Sequence, residues 1–175
     1  MRNPAQSARG RAIVLPTVLD MTHPPMRFTE VYEAGDAWLA DCSAHPTLVR
    51  MTWNKEALAP IATGTHWLAA ETRLLPTMHA LNRLRGEHRG PLLADVETDM
   101  AWWLVASAAA EDLADVRQLT VQPTGWTLDC PPTGWGVEGR LWLNRPDGSG
   151  LLTDPAVLAA AFGPGGYRAP TEAPR

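Results

Sequence analysis

Residues 91–105 read Pro91-Leu92-Leu93-Ala94-Asp95-Val96-Glu97-Thr98-Asp99-Met100-Ala101-Trp102-Trp103-Leu104-Val105, and this stretch decides the fold. Two short apolar runs, Pro91 to Ala94 and Ala101 to Val105, flank a polar Asp95 to Asp99. Runs of that length on either side of a polar break predict a hairpin with a longer loop. Successive residues of a strand face opposite sides, so Trp102 and Trp103 cannot share a face. Core packing accounts for at least one of them. The other is expected to be exposed or half-covered, as a ligand or partner surface.

Upstream, Leu58 to Glu71 reads as two strands around Thr63-Gly64-Thr65, with Pro60 making the first short or placing it at an edge. Pro76 opens a helix at a first-turn position. Leu75, Met78, Leu81 and Leu84 recur at spacings of three and predict its apolar stripe, and Gly86 and Gly90 end it. Phe28 to Asp41 reads as a short strand, then Gly35, then a helix with Asp36 as its N-cap. Leu48 to Trp53 is too short to assign. Downstream, the Ala-rich 106–116 predicts a helical turn or short helix. Strands follow at Gln118–Gln122, Trp126–Cys130 and Arg140–Asn144. The tetrapeptide Pro-Thr-Gly-Trp recurs at 123–126 and 132–135, which predicts a meander. Asp154 caps a last helix, with Pro155 at its first position and Val157, Leu158, Ala161 and Phe162 as its apolar face. The order predicts an α+β fold: a mainly antiparallel or mixed sheet with a few helices packed on it.

A chain of 175 residues fits one domain. The pattern places it at 28–163. Residues 1–27 are expected to be a disordered extension, with Met21 or Met26 as alternative starts to Met1, and 164–175 a flexible Pro/Gly-rich tail. Cys42 and Cys130 are the only cysteines. They read as buried thiols better than as a disulfide, and no CxxC exists for a zinc ribbon or redox site. No apolar run reaches the ~18–20 residues of a membrane span. Ala12 to Leu19, behind Arg2, Arg9 and Arg11, mimics a signal peptide weakly: its apolar region is at the short limit and no cleavage site follows. A cytoplasmic protein without membrane partners is expected. The net charge of −4 argues against a generally basic nucleic-acid binder. Eight Trp against two Phe and two Tyr is the unusual number, expected to report sheet packing with one Trp left for recognition.

No P-loop, dinucleotide-binding glycine motif, HExxH or GxSxG occurs. The five histidines form no i, i+4 pair. Cys130, between Asp129 and Pro131, has no helix N-terminus behind it to activate a nucleophile. Asp95, Glu97 and Asp99 read as a solvated turn better than as a divalent-cation site. Arg83, Arg85, His88 and Arg89 form the only basic cluster. It suits a helix C-terminus electrostatically, and it is also where a phosphate would be met.

One order of residues resembles a known family. Ala59-Pro60-Ile61-Ala62-Thr63-Gly64, a strand ending at Glu71, Leu75-Pro76, a helix bearing Ala80-Leu81 and Arg83-Leu84, and Gly90-Pro91 are followed by Trp126-Thr127-Leu128-Asp129-Cys130-Pro131-Pro132 and Gly139-Arg140-Leu141-Trp142. Over about 57–145 this resembles the N-terminal domain of bifunctional DNA primase/polymerases of actinobacteria, phages and plasmids. The resemblance implies an RRM-like sheet packed on helices. It also exposes departures. The family's Asp-x-Asp metal pair would lie on the strand that here ends Ala69-Ala70-Glu71, where only Glu71 is acidic. The family's catalytic His precedes an aromatic strand, and Met100-Ala101-Trp102-Trp103 has none. Two-metal nucleotidyl transfer needs carboxylates for both ions. The resemblance therefore implies a degenerate, non-catalytic relative, expected to bind single-stranded nucleic acid or nucleotide. The candidate ligand contacts, taken from the aromatic and basic residues themselves, are Trp102, Trp103, Arg83, Arg85 and Arg140. No cofactor is expected. A divalent metal, with Glu71 as its one candidate ligand, is expected only if the family's chemistry survives. The alternative is a protein–protein interaction module of a regulatory or phage-derived gene cluster, which the low basicity favours.

Overall fold

The structure, a computed structural model, describes residues 28–163. The expectations for 1–27, with Met21 and Met26, and for 164–175 fall outside it. In chain order the elements are α1 (Phe28–Asp41), α2 (Pro46–Trp53), β1 (Ala59–Ala62), β2 (Leu68–Arg73), α3 (Leu74–Arg83), β3 (Leu92–Asp95), β4 (Met100–Val105), α4 (Ala109–Asp112), β5 (Thr120–Val121), β6 (Thr127–Cys130), β7 (Arg140–Asn144) and α5 (Pro155–Phe162). Five strands form one sheet in the order β5-β2-β4-β3-β7, and β1 pairs with β6 in a separate ladder. All these pairings are antiparallel. The fold is α+β, as the sequence pattern predicts.

The quoted stretch forms the middle of the large sheet. β3 and β4 pair from Leu92 opposite Trp103 to Asp95 opposite Met100. Apart from Met100, every residue of β4 is buried, because both faces of the sheet are covered. Ala69, Leu93, Trp102, Leu104 and Trp142 pack on one side with residues of α1, α2, β1 and β6. Leu68, Ala70, Leu92, Ala101, Trp103 and Val105 pack on the other with residues of α3, α4 and α5. A strand covered on both sides reads as a continuous apolar run, which is how Ala101 to Val105 reads.

Several local expectations are corrected. Residues 28–41 form one continuous helix, with no strand before Gly35. A glycine in a helix interior costs about 1 kcal/mol against alanine. Here the missing Cβ lets α1 lie against the backbone of Pro146, whose carbonyl a side chain would strike. Asp36 is accordingly not an N-cap. It sits mid-helix and accepts a hydrogen bond from the Thr133 N–H at 2.6 Å. The unassigned Leu48–Trp53 belongs to a helix, opened by Pro46 and burying Val49 and Trp53 four residues apart. On α3 the buried residues are Thr77 and Ala80, continued by Leu84, while Leu75 and Met78 are 52% and 40% exposed. Steps of three residues fall about 60° short of a full turn each time, so a strict i+3 stripe winds off the buried face.

The larger correction concerns strand partners. β1 and β2 flank the Gly64 turn as expected, yet they do not pair with each other. β1 joins β6, and β2 joins β4 and β5. Nor do β5, β6 and β7 form a meander, since each pairs with an earlier strand: β2, β1 and β3 respectively. The two Pro-Thr-Gly-Trp turns are crossing points between layers. At the first, Gly125 N–H donates to the Thr63 carbonyl at 2.9 Å and Thr63 N–H to the Trp126 carbonyl at 2.7 Å. The last helix is as the sequence predicts. Asp154 accepts from the N–H groups of Ala156 and Val157, at 2.9 and 3.2 Å, and Leu158, Ala161 and Phe162 are buried.

Candidate functional site

Four of the residues singled out in the sequence meet on the α1/α2 side of the large sheet. Glu71 on β2 lies opposite Trp102 on β4, and Asp95 on β3 lies opposite Arg140 on β7. The Trp102 indole N–H donates to Glu71 Oε2 at 2.9 Å, and Gln122 Nε2 donates to the same oxygen at 3.2 Å. The Arg140 guanidinium carbon lies 5.0 Å from the centre of the Trp102 ring, a cation–π contact. Arg140 also donates to Asp95 Oδ2 at 3.3 Å and to the Asp129 carbonyl at 2.7 Å. Asp95 Oδ1 accepts from the N–H groups of Glu97 and Thr98, at 3.0 and 3.1 Å. The acidic run 95–99 is therefore a turn closed on its first carboxylate. Burial acts to raise the Asp95 pKa, but the hydrogen bonds from Thr98, Glu97 and Arg140 outweigh it and hold the carboxyl below its ordinary value.

The groups around Glu71 Oε2 are an indole and an amide N–H, not further carboxylates or imidazoles that would complete a metal site. Glu71's neighbours at i±2 on β2, the positions sharing its face, are Ala69 and Arg73. Among the described residues no three His, Cys, Asp or Glu side chains converge on a common point. The residues present do not fit a two-ion centre.

The other sequence candidates lie elsewhere. Trp103 is 0% exposed on the opposite side of the sheet, edge-on to Phe162 with ring centres 6.5 Å apart. Trp102 is 5% exposed, so neither member of the pair offers the open aromatic face that was expected. Arg83 donates to the Ala161 carbonyl at 3.0 Å, in the last turn of α5. Arg89 donates through Nε to the Leu84 carbonyl and through Nη2 to that of Leu81, at the end of α3. Two of the four basic-cluster residues thus satisfy helix-end carbonyls. Arg85 is exposed at the start of the 86–88 turn. Cys130 is fully buried, and that burial pushes its thiol far up, away from a usable thiolate. Burial also raises Cys42, with the nearby Trp67 acting in the opposite direction. Both cysteines are free; Cys130 lies in the first-side core and the partly buried Cys42 packs against it.

Two open grooves were not anticipated. One, of about 290 Å³, is lined by Glu33, Asp36, Arg50, Trp53, Pro132 and Trp135. Trp135 is 54% exposed and is the Trp left outside the core. Its only sequence signal is its place in the second Pro-Thr-Gly-Trp repeat. The other groove, of about 510 Å³, lies between the α3–β3 connection and β7 and includes Gly86, Arg89, Trp142, Asn144, Arg145 and Asp147. Arg145 and Asn144 carry no sequence signal, because the groove joins segments more than fifty residues apart.

No family model, curated protein or solved structure matches this chain. The geometry therefore carries the functional argument alone. Among the described residues no helix is long and apolar enough to cross a membrane.

Proposed function

We propose that this chain is a non-catalytic, primase–polymerase-like binding domain with an RRM-like sheet core, and that its partner is a protein presenting basic side chains. The observation that carries the partner assignment is the half-exposed Trp135 beside two carboxylates. Glu33 and Asp36 lie one turn apart on α1 and line the same groove, whose floor includes Trp53 and Pro132. Asp36 commits only Oδ1, to Thr133. Arg50, at the rim, is paired with Asp41 at 2.9 Å. An indole face flanked by carboxylates attracts a guanidinium or ammonium by cation–π and ionic terms together. The charge distribution agrees. Of fifteen basic residues six lie outside 28–163, against two of nineteen acidic ones, so the described body is strongly acidic. A body of that sign repels a phosphate backbone. The non-catalytic reading is supported by Glu71, whose only anchors among the described residues are an indole and an amide.

The test is fluorescence anisotropy with a labelled oligo-arginine peptide and a labelled oligo-dT strand, each at low and at physiological salt. The peptide is expected to bind, and Trp135→Ala to weaken it about three- to tenfold. That variant leaves net charge unchanged, so the loss reports the groove and not general acidity. Peptide affinity untouched by Trp135→Ala, or oligo-dT binding that falls steeply with salt, overturns the reading. A nucleotide or single-stranded nucleic acid is the second reading, favoured by the arginines of the larger groove.

A further inference from the structure

We infer that the larger groove is a binding site for a small, hydroxyl-bearing phosphate monoester. It shares no lining residue with the Trp135 groove or with the Glu71 network, so it stands independently of the protein-partner reading. Its volume, about 510 Å³, falls within the ~300–1,000 Å³ of small-ligand sites.

Two cations line it, one from the α3–β3 connection and one from the segment after β7. Arg89 spends Nε and Nη2 on the carbonyls of Leu84 and Leu81, which fixes its plane and leaves Nη1 without a protein acceptor among the described residues. Arg145 donates from Nη1 to the Tyr32 hydroxyl at 2.9 Å and stacks on the Tyr32 ring at 5.0 Å. Its Nε and Nη2 meet no acceptor among the described residues. Neither guanidinium has a carboxylate within ion-pair distance there, whereas Arg50, Arg73 and Arg140 each do. Guanidiniums held in place with unused N–H groups are pre-organised for a phosphate, whose several oxygens bridge donors from two sides.

The acceptors in the groove define the rest of the ligand. Asn144 donates both amide hydrogens, to the carbonyls of Arg89 at 3.0 Å and Gly90 at 2.8 Å, and so leaves Oδ1 to accept. Asp147 turns Oδ1 to the Ser149 hydroxyl and N–H, and those hydrogen bonds hold its carboxyl below the ordinary value. It is charged at neutral pH and leaves Oδ2 to accept. A bare anion leaves these acceptors unused and meets Asp147 as a like charge. A ligand with hydroxyl donors on the carbon skeleton behind its phosphate satisfies both ends. The wall itself is rigid: Gly90 packs on the backbone of Leu152 and Thr153 with no room for a side chain, and its N–H donates to Thr153 Oγ1 at 3.1 Å.

Isothermal titration calorimetry of the full chain with ribose 5-phosphate, inorganic phosphate and ribose tests this. One-site binding of ribose 5-phosphate is expected, tighter than inorganic phosphate, with no binding of ribose. Arg145→Gln is expected to weaken it at least about tenfold. Arg145→Lys, which keeps the charge and the packing on Tyr32 but loses the fork, is expected to fall between wild type and Arg145→Gln. Circular dichroism melts of the unliganded variants separate loss of the site from loss of α1 packing. Absence of saturable ribose 5-phosphate binding, equal affinity for inorganic phosphate, or wild-type affinity in both Arg145 variants overturns the inference.

Discussion

Trp102 and Trp103 are adjacent in sequence, equally large, and both buried, yet the two sides of the sheet treat them differently. Trp102 has its indole N–H on a carboxylate and a guanidinium against its ring. Trp103 has an indole N–H with no partner among the described residues, and its ring is edge-on to Phe162. The rest of the first side follows Trp102. Trp53 donates to the Cys130 carbonyl at 2.9 Å and Trp142 to that of Pro131 at 3.1 Å. Trp67 is the exception: among the described residues its N–H has no oxygen or nitrogen acceptor and faces only the Cys42 thiol. The short β1–β6 ladder covers the first side together with α1 and α2, and the carbonyls at the end of β6 reach its indoles, while Glu71 and Arg140 reach Trp102 from the large sheet itself. Helices cover the second side, and their carbonyls are already spent on helical hydrogen bonds. Polar anchoring therefore fixes one side and shape complementarity the other.

That contrast breaks most readily at Trp103. Trp103→Ala is expected to cost about 3–5 kcal/mol in urea unfolding, since it empties a closed site between α3 and α5. A loss below about 1 kcal/mol means that the helices collapse into the space and the second side is not shape-fixed. Trp→Phe sharpens the comparison, because it removes the N–H and keeps most of the ring. At 102 it takes a hydrogen bond from a carboxylate and is expected to cost about 1.5–3 kcal/mol. At 103 it removes a donor that is unsatisfied, so the expected cost is under about 1.5 kcal/mol. Equal costs at the two positions would erase the distinction.

The smallest expected effect is on Asp95. Its folded pKa lies below its unfolded value, so its stabilisation is complete above the ordinary aspartate range. It is lost as pH falls from about 4 through the lower folded value. Asp95→Asn is expected to cost roughly 1 kcal/mol at neutral pH and to flatten that part of the acid limb. Urea midpoints measured from pH 7 to pH 2 check it. An unchanged acid limb would show that the turn, and not the charge, holds Arg140 over Trp102.

The elements that could be read from sequence are those decided within a few residues. Asp154-Pro155 starts a helix because a side-chain oxygen reaches N–H groups two and three residues on. The β3–β4 hairpin forms because two apolar runs lie close together in the chain. Gly35 misled because its local meaning, a helix break, is overruled by the close approach of Pro146. The meander misled because a repeated turn fixes where a strand starts and not which strand it joins. For the candidate sites, the residue types Glu71, Trp102 and Arg140 were visible, but their mutual satisfaction was not. Arg145 and Asn144 became site residues only by lying across a groove from Arg89.

The sequence by itself determined the α+β class, the central hairpin, the capped last helix and the opposition of Trp102 to Trp103. All rest on backbone geometry with a range of a few residues. Tertiary structure alone decided that β5, β6 and β7 pair with β2, β1 and β3, that both central tryptophans are covered, and that Trp135 is left in the open. Burial is a property of what arrives from elsewhere in the chain. A tryptophan's spacing tells which way it points, and only the packed layers tell whether anything meets it there.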